Sequence, residues 1–151
     1  MDEPPISDYA IVGDTRTAAL CSLGGSIDWL CMPQFDSDPV FGRLVGGEHS
    51  GQFSISPADC REVSRSYLPG SAVLTTTWQT ATGEALLTDA MILELTGSLL
   101  PQAALVRRVT CSRGVVRLRV LFNPKRGLPG RPPRARRDGR LLVCSWGSLA
   151  L

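Results

Sequence analysis

One histidine and a set of scattered carboxylates are the side chains of this 151-residue chain that could catalyse a reaction. A Ser-His-Asp or Cys-His nucleophile would need His49, which lies in a glycine-rich stretch with no orienting partner nearby in sequence. Glycoside hydrolysis needs two acids at a set separation in space, which a sequence does not give. We therefore predict no catalytic residue and expect His49 to be an exposed loop side chain. The carboxylates that could form a pair are Asp14, Asp28, Asp36, Asp38, Glu84 and Asp89.

The cysteines are odd in number and form no C-x-x-C pair, and the chain has a single histidine. A disulfide framework or a zinc site is therefore a poor interpretation, and we expect reduced cysteines that are buried as small hydrophobic residues. The glycines Gly24 and Gly25 lead into a predicted strand rather than a helix, which is not the pattern of a phosphate-binding loop. We expect neither a metal nor a cofactor. The cysteines are Cys21, Cys31, Cys60, Cys111 and Cys144.

Aromatic side chains next to aspartates could stack on a sugar and hydrogen-bond its hydroxyl groups. In β-sandwiches, however, a tryptophan on a strand usually belongs to the core, and we assign Trp78 and Trp146 there. Phe35 and Asp36 follow Pro33 in a loop, where binding residues are frequently found. This loop is the better candidate for a functional edge.

Charge is distributed unevenly along the chain. Residues 1–75 carry a net charge of −6 and residues 76–151 a net charge of +8, with seven of the sixteen basic residues between Lys125 and Arg140. Such a cluster could bind nucleic acid. It has no interleaved aromatic residue and no helix-turn-helix or zinc pattern, so we predict a solvated loop. With no signal-peptide pattern and no run of roughly 20 apolar residues, we expect a cytoplasmic protein without a membrane or nucleic-acid partner.

Short strands separated by turn residues would position these side chains. Gly24-Gly25 predicts a hairpin between residues 17–23 and 26–32, with Trp29 on the buried face and Asp28 on the other. Asp38-Pro39 predicts the start of the one helix, which would end at Gly46-Gly47. Period-two patterns predict further strands over residues 9–12, 52–56, 64–68, 72–80, 85–93, 104–111, 115–122, 141–145 and 148–151.

Many short strands at this spacing predict an all-β fold, an antiparallel β-sandwich with one short helix. Residues 104–111 and 115–122 are expected to pair as a hairpin, and residues 124–137 are expected to form a loop. Because the last residues read as a strand in mid-course, we expect a domain truncated at its C-terminus. A truncated sandwich would expose unpaired strand edges, which predicts self-association.

Several segments of the chain resemble the opening of bacterial glycoside hydrolase family fifteen proteins, the glucoamylase-like and trehalase-like enzymes. The most specific is G-S-I-D-W-L-C-M-P-Q-F-D-S, residues 25–37, which follows a similar run over residues 11–20. The resemblance continues in order over nearly the whole chain. The later similar segments are residues 67–74, 87–91 and 105–109.

The resemblance implies that residues 1–151 are an N-terminal sandwich domain whose catalytic α/α barrel, with its glutamates, is absent. Such a chain is expected to be inactive alone, while its parent would cleave α-glucosidic bonds of trehalose or of maltooligosaccharide or isomaltooligosaccharide type. The loop Pro33–Ser37 would border the substrate pocket. Asp28 and Asp36 would orient this loop or a sugar hydroxyl, and Trp29 would anchor its base. The alternative is a free-standing carbohydrate-binding module without hydrolase activity. The residues expected at the pocket border are Asp28, Trp29, Pro33, Phe35 and Asp36.

Overall fold

The computed structural model describes residues 4–92 and 103–151. This part of the chain forms thirteen strands and one short α-helix, α1 (Arg43–Gly46), with 3₁₀ turns at Ile6–Asp8 and Gly47–Ser50. The strands are β1 (Tyr9–Gly13), β2 (Ala18–Ser22), β3 (Ser26–Cys31), β4 (Pro39–Phe41), β5 (Gln52–Pro57), β6 (Glu62–Tyr67), β7 (Leu74–Gln79), β8 (Gly83–Ile92), β9 (Ala104–Gly114), β10 (Leu118–Asn123), β11 (Arg134–Asp138), β12 (Leu141–Trp146) and β13 (Leu149–Ala150).

Two antiparallel sheets form the predicted sandwich. The larger has the order β1-β2-β3-β5-β10 with β4 paired to β3, and the smaller has the order β6-β7-β8-β9. Ile55 of the larger sheet packs against Trp78 and Leu87 of the smaller one, and a second cluster joins Val12 to Leu74. The all-β prediction, with antiparallel sheets and one short helix, is confirmed. The predicted end of β8 at Leu93 lies outside the described residues.

The hairpin across Gly24-Gly25 is confirmed and makes a close contact between the sheets. Gly25 has a φ of +83°, and its amide donates to the carbonyl of Ser22 at 3.0 Å. A Cβ at this position would lie 2.2 Å from the carbonyl oxygen of Ile55 and 2.7 Å from the Trp78 ring. Both the backbone conformation and the available space therefore require glycine here.

The prediction that residues 104–111 and 115–122 pair as a hairpin is wrong. β9 pairs with β8 over the whole length of β8, whereas β10 pairs with β5 in the other sheet. The connection between them is an arch that crosses the sandwich. Packing in the core explains why an arch forms here instead of a hairpin. Val109 of β9 and Leu118 of β10 pack on the same buried cluster from opposite sheets.

The predicted helix begins later than Asp38. Pro39–Phe41 form β4, where Phe41 pairs with Leu30, and α1 follows Gly42. Val40 and Phe41 are 0% and 2% exposed. Because burial against β3 removes these apolar side chains from water, it outweighs the local preference of Asp-Pro for a helix start.

The basic segment between residues 124 and 137 is not wholly a loop, because β11 begins at Arg134 and pairs with β12. The predicted C-terminal hairpin is confirmed as β12 and β13. Together these three strands form a small third sheet, and Leu149 and Leu151 pack against the main core. Trp146 is only partly buried, and its indole N–H donates to the Arg131 carbonyl at 2.9 Å.

All five cysteines are free, but the prediction that they are buried holds for only three. Cys21, Cys31 and Cys144 are at most 4% exposed, whereas Cys60 and Cys111 are exposed. Burial raises the pKa of Cys21 to about 12, and the charge of Asp89 contributes in the same direction. These buried thiols therefore act as packing residues.

Candidate functional site

Asp28 lies in the middle of β3 and is 0% exposed, contrary to the expectation of an open outer face. Its Oδ2 accepts from the Tyr9 hydroxyl at 2.7 Å, and its Oδ1 accepts from the Ser26 hydroxyl at 2.5 Å. The guanidinium of Arg43 in α1 pairs with it at 3.4 Å. Because a buried carboxylate needs such partners, Asp28 fixes α1 and Tyr9 against β3. Trp29, expected to be the buried residue of this strand, remains partly exposed.

The loop that follows β3 is exposed but its backbone is held in place. The amide of Phe35 donates to the carbonyl of Arg16 at 3.0 Å, and Gln34 and Ser37 close the loop with two bonds of 3.1 Å. Phe35 is 61% exposed. The loop therefore presents an aromatic ring to solvent on a fixed backbone.

The turn that receives this loop is built around Asp14. Its Oδ1 accepts from the amides of Arg16 and Thr17 at 2.9 and 2.8 Å, which supports a φ of +70° at Thr15. The Thr17 hydroxyl in turn donates to the carbonyl of Cys31 at the end of β3. The β1–β2 turn and the loop after β3 are thus held together as one unit.

Four exposed side chains of this unit line a shallow depression of about 270 Å³: Arg16, Gln34, Phe35 and Asp36. An aromatic ring, a carboxylate, a guanidinium and an amide together can stack on a sugar ring and hydrogen-bond its hydroxyl groups. We call these four residues the edge depression. Of the five residues predicted for the site, Phe35 and Asp36 lie in it and Pro33 begins its loop, whereas Asp28 and Trp29 belong to the strand behind it.

A second concavity, which the sequence did not suggest, lies on the outer face of the larger sheet. It encloses about 780 Å³ and brings together positions more than one hundred residues apart, from Pro4 to Asn123. The only sequence signal is the alternation of polar residues along β5. We call it the polar groove. Its uncharged polar lining consists of Ser22, Ser26, Gln52, Ser54, Ser56 and Asn123.

Asp89 and Arg107 form a buried ion pair between the sheets. Arg107 Nε and Nη2 donate to the two carboxylate oxygens of Asp89 at 2.8 and 3.2 Å, and both side chains are 2% exposed. Arg107 also donates to the carbonyls of Phe53 and Gly25 in the opposite sheet, at 2.6 and 2.8 Å. Asp89 is therefore committed to holding the sandwich together.

The other predicted carboxylates also have structural partners. Asp38 pairs with Arg126 at 3.1 Å, and Glu84 accepts from the Ser112 hydroxyl at 2.6 Å. Within the described residues, Asp36 makes no side-chain hydrogen bond or ion pair. His49 is exposed, as expected. No group of three or more His, Cys, Asp or Glu in this part of the chain is placed to hold a metal ion, and none of its helices has the length and hydrophobicity to cross a bilayer.

The chain belongs to the trehalase-like N-terminal domain family, whose sequence pattern matches residues 1–134. Over 91 residues it is 44% identical to a trehalase of Mycobacterium tuberculosis and 43% identical to one of Mycolicibacterium smegmatis. It is 43% identical over 81 residues to trehalase 1 of Sulfolobus acidocaldarius. The resemblance to trehalase-like proteins is thereby confirmed.

These alignments cover 60% of this chain in the first two cases and 53% in the third. They cover only 13 to 14% of the relatives' own length. No solved structure shows significant similarity to the chain. The chain therefore corresponds to a small part of each trehalase.

Proposed function

We propose that residues 1–151 are the non-catalytic N-terminal sandwich domain of a trehalase-type glycoside hydrolase, in which they support a catalytic α/α barrel domain outside these residues. The observation that carries this proposal is the family match, which spans most of this chain and corresponds to a small part of each aligned trehalase. The structural roles of Asp28 and Asp89 support it, because neither carboxylate is free for acid–base chemistry. The packing of Leu149 and Leu151 on the main core supports a domain that extends to residue 151.

In this proposal the edge depression borders the substrate pocket of the complete enzyme. Asp36 is exposed and has no partner within the described residues, and Phe35 offers its ring next to it. Asp28 and Trp29 act from behind, because they belong to the strand from which the loop starts. The substrate is an α-glucoside, and trehalose is favoured over maltooligosaccharides because the aligned relatives are named trehalases. A cytoplasmic location is part of the proposal and is supported by the free cysteines.

A chimeric enzyme tests this role. In the Mycolicibacterium smegmatis trehalase, the segment that aligns with this chain is replaced by this chain's residues, and kcat/KM is measured on trehalose and on maltooligosaccharides. Asp36→Ala is expected to lower kcat/KM for trehalose about tenfold or more, as for the loss of a hydrogen bond to a charged group. The 151-residue chain alone is expected to release no glucose.

The matched control is Asp59→Ala. Asp59 is also an exposed aspartate in a loop, but it follows β5, which runs antiparallel to β3, and so lies beyond the opposite end of the sheet. It is expected to leave kcat/KM unchanged. Equal kcat/KM values for Asp36→Ala and Asp59→Ala on both substrates would contradict the role of the edge depression.

The polar groove favours a second candidate function, a carbohydrate-binding module. Its hydroxyl and amide groups could hydrogen-bond an oligosaccharide lying across β3, β5 and β10. Calorimetry of the 151-residue chain with trehalose and maltoheptaose tests this. Binding that Gln52→Ala weakens and Asp36→Ala does not would support the module, whereas no heat from either sugar would contradict it.

A further inference from the structure

One flank of the sandwich has unpaired strand edges in both sheets. β10 is the terminal strand of the larger sheet and β9 of the smaller, and within the described residues each pairs on one side only. Both lie on the same side of the molecule, because only residues 115–117 connect the end of β9 to the start of β10. We call this side the open flank.

The opposite flank is closed by side chains. The Tyr67 hydroxyl, on β6, accepts from the amide of Ile11 at 3.0 Å and donates to its carbonyl at 2.8 Å, so it occupies the edge of β1. Arg65 of β6 donates to the carbonyls of Asp8 and Cys21 at 2.7 and 3.2 Å. These bonds tie β6 to the β1 side of the larger sheet. Such covering is a usual way in which proteins protect a sheet edge from unwanted pairing.

β10 has no comparable protection among the described residues, and its middle is apolar. Val120, Leu121 and Phe122 are 61%, 47% and 38% exposed. Three successive exposed apolar residues on a strand with one unpaired edge are the surface that an added strand would cover. The open flank is therefore suited to strand addition.

The two faces of β10 define the chemistry of the added strand. Phe122 faces the core side, where its ring lies 5.1 Å from that of Phe53, and by alternation Val120 shares this side. Arg119 lines the polar groove on the outer side. A complementary strand would present apolar residues toward the core and an acidic residue toward Arg119.

We propose that the free edge of β10 binds an extended segment of a partner protein in which apolar and acidic residues alternate, added as a further strand of the larger sheet. The main-chain hydrogen bonds supply affinity, and the alternation supplies specificity. A second copy of this chain is a poorer occupant, because pairing β10 with itself would bring the arginines of two positively charged edges together.

The experiment uses the intact 151-residue chain and two fluorescent peptides, each about ten residues long. One alternates isoleucine and glutamate, and the other alternates isoleucine and lysine. Fluorescence anisotropy is expected to show the glutamate peptide binding about tenfold or more tighter than the lysine peptide, with a preference that salt reduces. Amide shifts in an NMR titration are expected to concentrate on β10.

Charge reversal distinguishes this strand addition from general attraction to a basic protein. Arg119→Glu is expected to reverse or abolish the preference between the peptides. The control Arg137→Glu makes the same charge change at an exposed position of β11 and is expected to leave the preference intact. Equal binding of both peptides, or equal effects of the two variants, would overturn the proposal.

Sedimentation of the chain without peptide measures whether it is a monomer or a dimer, which tests the alternative that a second copy pairs with β10. A monomer that binds the glutamate peptide supports the proposal. A dimer that Val120→Lys dissociates and that binds neither peptide would overturn it in favour of a second copy. A monomer that binds neither peptide would overturn it as well.

Discussion

Replacing Arg107 by methionine is expected to remove the main polar connection between the two sheets. Methionine fills most of the volume but leaves the buried charge of Asp89 without a counter-charge, which costs about 3–5 kcal/mol. The carbonyls of Phe53 and Gly25 also lose a donor. Because the Gly25 carbonyl still accepts from the amide of Ile55 at 3.0 Å, this second loss adds only about 1 kcal/mol. The total of about 5 kcal/mol is a large part of the stability of about 5–15 kcal/mol that a domain usually has.

Urea unfolding followed by tryptophan fluorescence measures this loss. Arg108→Met is the matched control, because Arg108 is the next residue of β9 and its side chain is exposed. We expect the control to change the free energy of unfolding by less than about 0.5 kcal/mol. Arg107→Lys keeps the charge but not the four bonds made by the guanidinium, so its loss is expected to be intermediate. It also provides a measurement if Arg107→Met does not fold. If the losses for Arg107→Met and Arg108→Met agree within about 1 kcal/mol, the reasoning is refuted.

Further predictions concern the sheet contacts and the buried thiol. Gly25→Ala is expected to cost about 2–4 kcal/mol in urea unfolding, because it adds a strained φ and a clash with the core. Gly24→Ala is expected to cost much less, because its Cβ would make only an ordinary contact of 3.9 Å with the Ser22 hydroxyl. Tyr67→Phe removes both bonds to the edge of β1 and is expected to cost about 1 kcal/mol; no loss in the same assay would show that the edge does not need them. The raised pKa of Cys21 means that the native chain keeps a proton that the unfolded chain loses above pH 9, so stability falls by about 1.4 kcal/mol per pH unit as the pH rises from 9 toward 12. Unfolding at several pH values is expected to show a steeper decline for the wild type than for Cys21→Ala, and equal slopes would contradict the assignment. Cys60 is expected to react with a thiol reagent in the native chain at a pH where Cys21 does not.

Local rules were sufficient for most strands because turn residues and period-two patterns act over a few positions. The hairpin at Gly24-Gly25 is the clearest case, since its turn chemistry is contained in the dipeptide. The connection between β9 and β10 could not be predicted in the same way. A hairpin and an arch use similar turn residues, and the choice between them depends on which sheet offers the better burial for Leu118. That information lies in strands far away in sequence.

The errors around β3 have a related origin. Alternation predicted that Asp28 would face water and Trp29 the core, which holds for a sheet covered on one face only. Here α1 and Tyr9 cover the other face of β3, so that Asp28 is buried among polar partners. The position of α1 in turn depends on β4, which the local signal at Asp38-Pro39 assigned to a helix. Because residues 39–41 were assigned to a helix instead of β4, the burial of Asp28 could not be predicted.

The segments that resemble the family contain two kinds of charged residue, and the structure separates them. Asp14, Asp28, Asp89 and Arg107 are buried; Asp14 holds the turn between β1 and β2, and the other three join one part of the scaffold to another. These four residues of the family-like segments therefore have structural roles in the sandwich and do not indicate a ligand.

The exposed charged residues of the same segments are Arg16, Asp36 and Arg108. Two of these three, Arg16 and Asp36, come from separate segments and meet in the edge depression. The sandwich does not need Asp36 as a bonding partner within the described residues, and the loop that carries Asp36 is fixed to the backbone of Arg16. An effect of Asp36→Ala on catalysis in the chimera would therefore report a contact made beyond this domain, because the same substitution is expected to leave the urea unfolding of the chain unchanged.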